Sequence, residues 1–329
     1  MRQVAIPNSL PGGKPPTPPP GTHRLLSIAG ETMGTTWSLE CFTPPGLTGD
    51  AVRALVESHL DLLVRQMSHW RGDSDLARFN RADPGAAVSL PAEFFHVLSA
   101  ALQIAQETGG AFDPTLGEVV NAWGFGPPGP HPELIHPPGR WRKILLDPAA
   151  QSAIQPGGAI LDLSAIAKGF AVDHVAVQLD SLGIGSYLLE IGGELKSRGV
   201  KPDGQPWWVL IEPPPGMPPA GEIIIALYNN AVATSGDYRR YVERAGERLP
   251  HTLDPLTAAP VRSPLASVSV LHADAMRADA YATALTVLGA ARGLTLSDQL
   301  GLPAVFLLRE DGRMRTLKSR AFQAMLDED

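Results

Sequence analysis

The chain has 329 residues, 44% of them hydrophobic and 19% charged, the balance of a protein that folds around its own apolar core. Its formal net charge of −7, without any run of Lys and Arg, excludes the basic surface that nucleic acid binding requires. A single cysteine, Cys41, rules out an internal disulfide and any multi-cysteine metal site, and is expected to pack as a small apolar group in a strand.

No apolar run approaches the roughly 20 residues of a membrane-spanning helix. The start, Met1-Arg2-Gln3-Val4-Ala5-Ile6-Pro7, has no apolar signal region, so a cytoplasmic protein is expected from the sequence as written. Residues 1–23, with Pro15-Pro16-Thr17-Pro18-Pro19-Pro20, read as an extended Pro-rich arm, and 24–329 as one domain.

Within that domain, Leu25-Leu26-Ser27-Ile28 and Met33-Gly34-Thr35-Thr36-Trp37-Ser38-Leu39 predict a hairpin with Gly34 near its bend. Val52, Leu55, Val56, Leu60, Leu63 and Val64 recur at helical spacing, predicting a helix over 48–66. A second helix is predicted over 91–107, with Pro91 in its first turn and Gly109-Gly110 closing it. Between them, Met67-Ser68-His69-Trp70-Arg71-Gly72-Asp73-Ser74-Asp75-Leu76 is a polar loop too dense in special residues to be only a spacer. Residues 126–139 read as a Pro-rich surface loop. Residues 161–170 read as strand, turn and helix opening, with the helix continuing over 171–182. Strands are predicted at 187–191, 207–212, 222–228, 238–243 and 268–271, with Gly192-Gly193 as a tight turn. An Ala-rich helix spans 275–288 and ends at Gly289, before a last strand at 304–309. Helices and strands alternate without an internal repeat, so the expected class is α/β, of the mixed α+β kind.

The turn at 161–170 concentrates unlike groups. Asp162 interrupts an apolar run, Ser164 and Ala165 are small enough to let a ligand reach the backbone, and Lys168 brings a cation to an incoming helix whose N–H groups suit an anion. The same residues also fit a plain helix start in which Ser164 caps and Lys168 is solvated. Asp279 and Thr283 stand four apart and share a helix face, a hard oxygen pair suited to Mg²⁺, although a solvated Asp279 and a Thr283 bonded to its own helix fit the spacing too. Asp279→Ala is expected to remove the metal and most turnover while leaving the fold intact, since a helix face tolerates alanine.

His251 lies three residues before Asp254 and can accept a proton near neutral pH, or serve structurally. Ala111-Phe112-Asp113, with Trp123 and Phe125 beyond, offers a wall for a flat aromatic ligand or a capped helix start with core aromatics. Ala233-Thr234-Ser235-Gly236-Asp237 is no nucleophile elbow, and Gly183-Ile184-Gly185 lacks the third glycine of a dinucleotide fingerprint.

The order and content of these blocks together resemble the ApbE family, the FAD:protein FMN transferases. The resemblance is carried by Met33-Gly34-Thr35-Thr36-Trp37, the run 67–80, the segments 109–126 and 161–171, Ile191-Gly192-Gly193-Glu194, the turn at 233–238, and the segments 251–260 and 278–288. It implies a flavin transferase fold of mixed sheets and packed helices. It also implies a Mg²⁺-dependent enzyme that splits FAD and passes FMN to a threonine hydroxyl of a client protein, releasing AMP.

Carried over position by position, the resemblance places Met33, Trp70, Ala111, Phe112, Asp113, Asp162, Lys168 and Leu253 against FAD. It places Asp279, Thr283 and the backbone carbonyl of Ala165 on the metal, and His251 at the transfer step, with Asp254 orienting it or replacing it. Hydrolysis of FAD to FMN and AMP, or FAD binding without turnover, would use the same residues. Two departures stand out: Ala258 occupies a position where the family has glycine, and the exported or lipid-anchored character common in the family has no counterpart here.

Overall fold

The alternation of apolar and polar residues along Thr35–Thr43 puts Trp37, Leu39 and Cys41 on one side, and all three are buried. Cys41 thus packs in a strand as its isolation suggests, and burial pushes its thiol up to about 12, which keeps it an unreactive apolar group. Thr35–Thr43 pairs with Arg24–Thr32 across Met33 and Gly34, both in the left-handed region at φ 50° and 71°. That is the two-residue turn a right-twisted hairpin prefers.

The computed structural model describes residues 2–7, 17–127, 139–215, 221–244 and 246–326. Most of the expected loop at 126–139 therefore lies outside the described residues, as does part of the Pro-rich segment. The described residues form seven helices: α1 Gly49–Met67, α2 Asp75–Asn80, α3 Ala92–Glu107, α4 Gly117–Trp123, α5 Ala167–Ser181, α6 Ala275–Leu300 and α7 Arg320–Gln323. The class is mixed α/β, as expected. None of these helices is long and apolar enough to cross a membrane.

Two compact units emerge. The first comprises 1–60, 168–236 and 264–329, and the second 61–167 and 237–263. The first is built on an eight-stranded antiparallel sheet in the spatial order Arg313–Lys318, Ala304–Glu310, Leu265–His272, Ala231–Gly236, Glu194–Arg198, Tyr187–Ile191, Thr35–Thr43 and Arg24–Thr32. Leu265–His272 lies near the middle and is buried at seven of its eight positions, so it reads as an almost continuous small and apolar run rather than an alternating one. The Ala-rich α6 packs on it and on Ala231–Gly236. A smaller sheet joins Arg2–Ala5, parallel, to Glu222–Leu227, which pairs antiparallel with Trp207–Leu210. Residues 2–5 of the expected arm thus belong to a sheet, with Ala5 buried beside Trp207, Ile225 and Phe322.

Differences from expectation run along the chain: the polar loop after α1 carries the helix Asp75–Asn80, most of the small polar turn expected at 233–237 lies in the strand Ala231–Gly236, and the C-terminal end adds further elements. A helix ending at Gly289 is expected; Gly289 does leave helical geometry (φ 73°, ψ 175°), but a further helical stretch follows to Leu300. The strand Arg313–Lys318 and α7 carry short, charge-rich patterns that periodicity does not flag.

In the second unit, a three-stranded sheet orders Ala87–Ser89, Ser152–Ile154 and Leu145–Asp147. Asn80, the last residue of α2, pairs with the backbone of Leu161 like a strand neighbour, accepting from its N–H at 2.8 Å and donating to its carbonyl at 3.0 Å. The Asp162 N–H donates to the Pro114 carbonyl at 2.9 Å, so the loops carrying Asp113 and Asp162 are fastened to each other.

In the first unit α5 approaches α6 closely enough that a Cβ on Gly169 would overlap the Ala275 carbonyl and lie 2.8 Å from the Met276 Cα. Gly169→Ala is therefore expected to destabilise the protein by about 3 kcal/mol, since backbone cannot yield as a side chain does; urea unfolding midpoints measure it.

Candidate functional site

The starts of α5 and α6 cap each other in the first unit. Asp274, at the N-cap of α6, makes no side-chain cap bond. Instead Asp173 of α5 accepts from the N–H groups of Ala275 at 3.1 Å and Met276 at 2.9 Å. In return Asp279 of α6 accepts from the Gly169 N–H of α5 at 3.1 Å through Oδ2. Each carboxylate meets unpaired donors and the positive end of the other helix's dipole.

Asp279 is buried, not a solvated helix residue, and burial raises its carboxyl above the ordinary range against the opposing pull of Lys168 and of the Gly169 bond. Lys168, the second residue of α5, forms an ion pair with Glu194, whose side chain is 4% exposed. Burial pushes the Glu194 carboxyl up to about 7; Lys168 opposes the shift and Asp279 adds to it. Two buried carboxyl groups thus lie in the field of one ammonium, and burial disfavours the charged form of both. Thr283 follows Asp279 by one helical turn on α6, and Met33 sits half-buried at the first hairpin turn.

This set fits a hard divalent cation. One Asp279 oxygen is engaged by Gly169 and the other remains, and the neighbouring hydroxyl is a hard donor. No group of three or more His, Cys, Asp or Glu side chains able to hold a metal occurs among the described residues, so a Mg²⁺ ion here would depend on hydroxyl, carbonyl, water or phosphate oxygens for its remaining ligands.

The second unit holds the other expected residues. Asp162 accepts from the Ser164 N–H at 2.7 Å and also from its hydroxyl, so Ser164 does not cap α5 but closes a turn on Asp162. His69 Nδ1 lies 3.8 Å from Asp162 Oδ1, and the His69 ring packs on the exposed Trp70 with centroids 5.3 Å apart. Ala165 is half-buried and Phe112 buried. The Asp113 carboxylate works on its own loop, accepting from Thr115 N–H at 2.7 Å, Thr115 Oγ1 at 2.6 Å and Gly139 N–H at 2.7 Å. Its burial raises its pKa against those bonds.

His251 Nδ1 is 3.0 Å from the Arg240 carbonyl. A carbonyl only accepts, so Nδ1 carries the proton and Nε2 of the neutral ring keeps its lone pair. This carbonyl is thus one group that orients the ring. Asp254 is occupied with the following turn, where Oδ1 accepts from Leu256 N–H at 2.8 Å and its carbonyl accepts from Ala258 N–H at 2.8 Å. That turn includes the buried Leu253, and Ala258 within it takes the left-handed conformation (φ 51°) usual for glycine, its carbonyl held by Trp123 Nε1 at 2.8 Å.

Lys168 and Asp279 come together through Glu194, while Trp70 and Asp162 are linked through His69. Glu194, Asp173, His69 and the Arg240 carbonyl were given no role by sequence. Glu194 left a usable signal, a carboxylate directly after a Gly-Gly turn in an apolar hairpin.

The expectation that alanine at 279 leaves the fold intact fails, because Asp279 is buried and caps α5. Asp279→Asn should keep the bond to Gly169 but abolish the rise in melting temperature produced by Mg²⁺. Asp279→Ala should lose both, at a further cost of about 1–3 kcal/mol for the stranded N–H; thermal melts with Mg²⁺ or EDTA distinguish the two.

A family model described as the ApbE family matches residues 33–306. The FAD:protein FMN transferase of Haemophilus influenzae is 36% identical over 319 residues, covering 92% of each chain, and that of Vibrio cholerae is 33% identical over 310 residues, again 92% of each. Among solved structures, the apo flavinyl transferase ApbE of Pseudomonas stutzeri matches with a TM-score of 0.84 at 36% identity, over 92% of this chain and 97% of that one. The apbe protein of Thermotoga maritima matches at 0.79 and 26% identity, over 93% of this chain and all of that one, at 100%. The family model spans the sheet, α5 and α6 described above, and the chain belongs to it: it is a member of the ApbE family.

Proposed function

We propose that the protein is a Mg²⁺-dependent FAD:protein FMN transferase acting on a threonine hydroxyl of a client protein. The observation that carries this reading is the buried pair Glu194 and Asp279 around Lys168 at the crossing of α5 and α6, in a chain whose relatives are named for this transfer. In the first unit, Met33 and Lys168 serve FAD, and Asp279 and Thr283 the metal. In the second, Trp70, Ala111, Phe112, Asp113, Asp162 and Leu253 serve FAD, the Ala165 carbonyl the metal, and His251 the proton transfer.

When bound, Mg²⁺ screens the pyrophosphate and makes its phosphorus easier to attack. Lys168, paired with Glu194 and partly exposed, brings positive charge to a phosphate oxygen. Trp70, exposed and stacked on His69, offers a face to a flat ring. The threonine Oγ forms the new P–O bond to the FMN phosphorus, the P–O bond to the bridging oxygen breaks, and AMP leaves. The hydroxyl proton passes to Nε2 of His251, the nitrogen that the Arg240 carbonyl leaves unprotonated. Asp254, which shapes the turn that follows it, orients His251 or takes the proton in its place.

Incubation with FAD, Mg²⁺ and a candidate client should add the mass of FMN less one water to the client and release AMP in equal amount. His251→Ala should slow transfer by about 10²-fold or more while FAD affinity changes little. AMP release without a client mass gain across clients would instead indicate hydrolysis, and no Mg²⁺-dependent AMP would refute an enzymatic role.

A further inference from the structure

The segment Ile191-Gly192-Gly193-Glu194 joins two paired strands, and of its residues only Glu194 has entered the chemistry above, through its pair with Lys168. Its turn is built around Lys168. Gly192 sits at φ 64°, and a Cβ there would lie 3.2 Å from Cδ of Lys168 and 2.9 Å from Cγ2 of Thr35. Gly193, at φ 102°, donates its N–H to Glu190 Oε1 at 2.9 Å, which fixes the turn. Glu194, the next residue, takes the ammonium through Oε1. The stem of Lys168 thus crosses a glycine that leaves room for it, and its head meets the carboxylate that follows.

The second oxygen, Oε2, is buried without a hydrogen-bond partner. A carboxylate placed only to stabilise a fold would have both oxygens satisfied, since an unmatched buried acceptor costs about 1–3 kcal/mol. The Lys168 side chain is 28% exposed, so a ligand can reach it while Glu194 holds its head.

We propose that Glu194 is a positioning residue: the Gly192-Gly193-Glu194 turn is a cradle that fixes the Lys168 ammonium where it meets a phosphate oxygen of FAD. Free in solution, a lysine head samples many rotamers, and holding it in place before the ligand arrives removes that ordering cost from binding. The inference rests on the proposed FAD site, and the test separates the two.

FAD affinity is measured by flavin fluorescence in EDTA for the wild type, Glu194→Gln, Lys168→Met and the double variant, with melting temperatures recorded for each. Glutamine preserves volume and an acceptor, so a packing role would survive it. The expected result is a loss of roughly tenfold in affinity for Glu194→Gln, and no further loss from that change once Lys168 is methionine. The double variant exchanges the pair for near-isosteric neutral groups and keeps the test valid should Glu194→Gln alone fold poorly: binding weaker than in Lys168→Met would overturn the proposal. Wild-type affinity in Glu194→Gln, or losses that add in the double variant, would also overturn it. A wild type that binds no FAD would overturn the function itself.

Discussion

The site depends on one constraint, the reciprocal capping of α5 and α6. Asp173 gives α6 its missing cap and Asp279 gives α5 one, and Gly169 lets the two helix starts come close enough for both. The same exchange draws Asp279 out of water and brings it into the field of Lys168 and Glu194. A helix end and an acidic centre are made by the same hydrogen bonds. The residue best suited to hold a metal is therefore also part of the scaffold, and substitutions there confound stability with chemistry unless they preserve the bond to Gly169.

The second unit solves a different problem, which is to hold loops rather than helices. The Asn80 side chain stands in for a strand against Leu161, and the Asp162 N–H reaches Pro114, so the end of α2 and two loops are fixed by hydrogen bonds to backbone groups. His251 Nδ1 likewise meets a backbone group, the Arg240 carbonyl.

Much of this architecture was legible in the sequence where periodicity is strong. The helices near 48–66 and 91–107, the strand Tyr187–Ile191 and the Met33-Gly34 bend follow from apolar spacing and from residues that tolerate positive φ. Periodicity is silent about partners far along the chain. It could not show that Asp279 faces Gly169, 110 positions away, or that Lys168 meets Glu194 rather than water. It likewise misses the strand Arg313–Lys318, whose charges mask its single buried methionine, and the helical stretch after Gly289. The Ala258 departure was visible as a missing glycine, but only the structure shows that the turn keeps its left-handed residue and holds the carbonyl with Trp123.

The account turns on a cation at the crossing of α5 and α6. Its most direct test is a crystal of the protein grown with FAD and Mn²⁺ in place of Mg²⁺, with the metal located by anomalous scattering. The account predicts one strong peak within bonding distance of an Asp279 carboxylate oxygen and of Thr283 Oγ1. A fully occupied FAD with no peak at Asp279, or a peak held by other side chains, would contradict it.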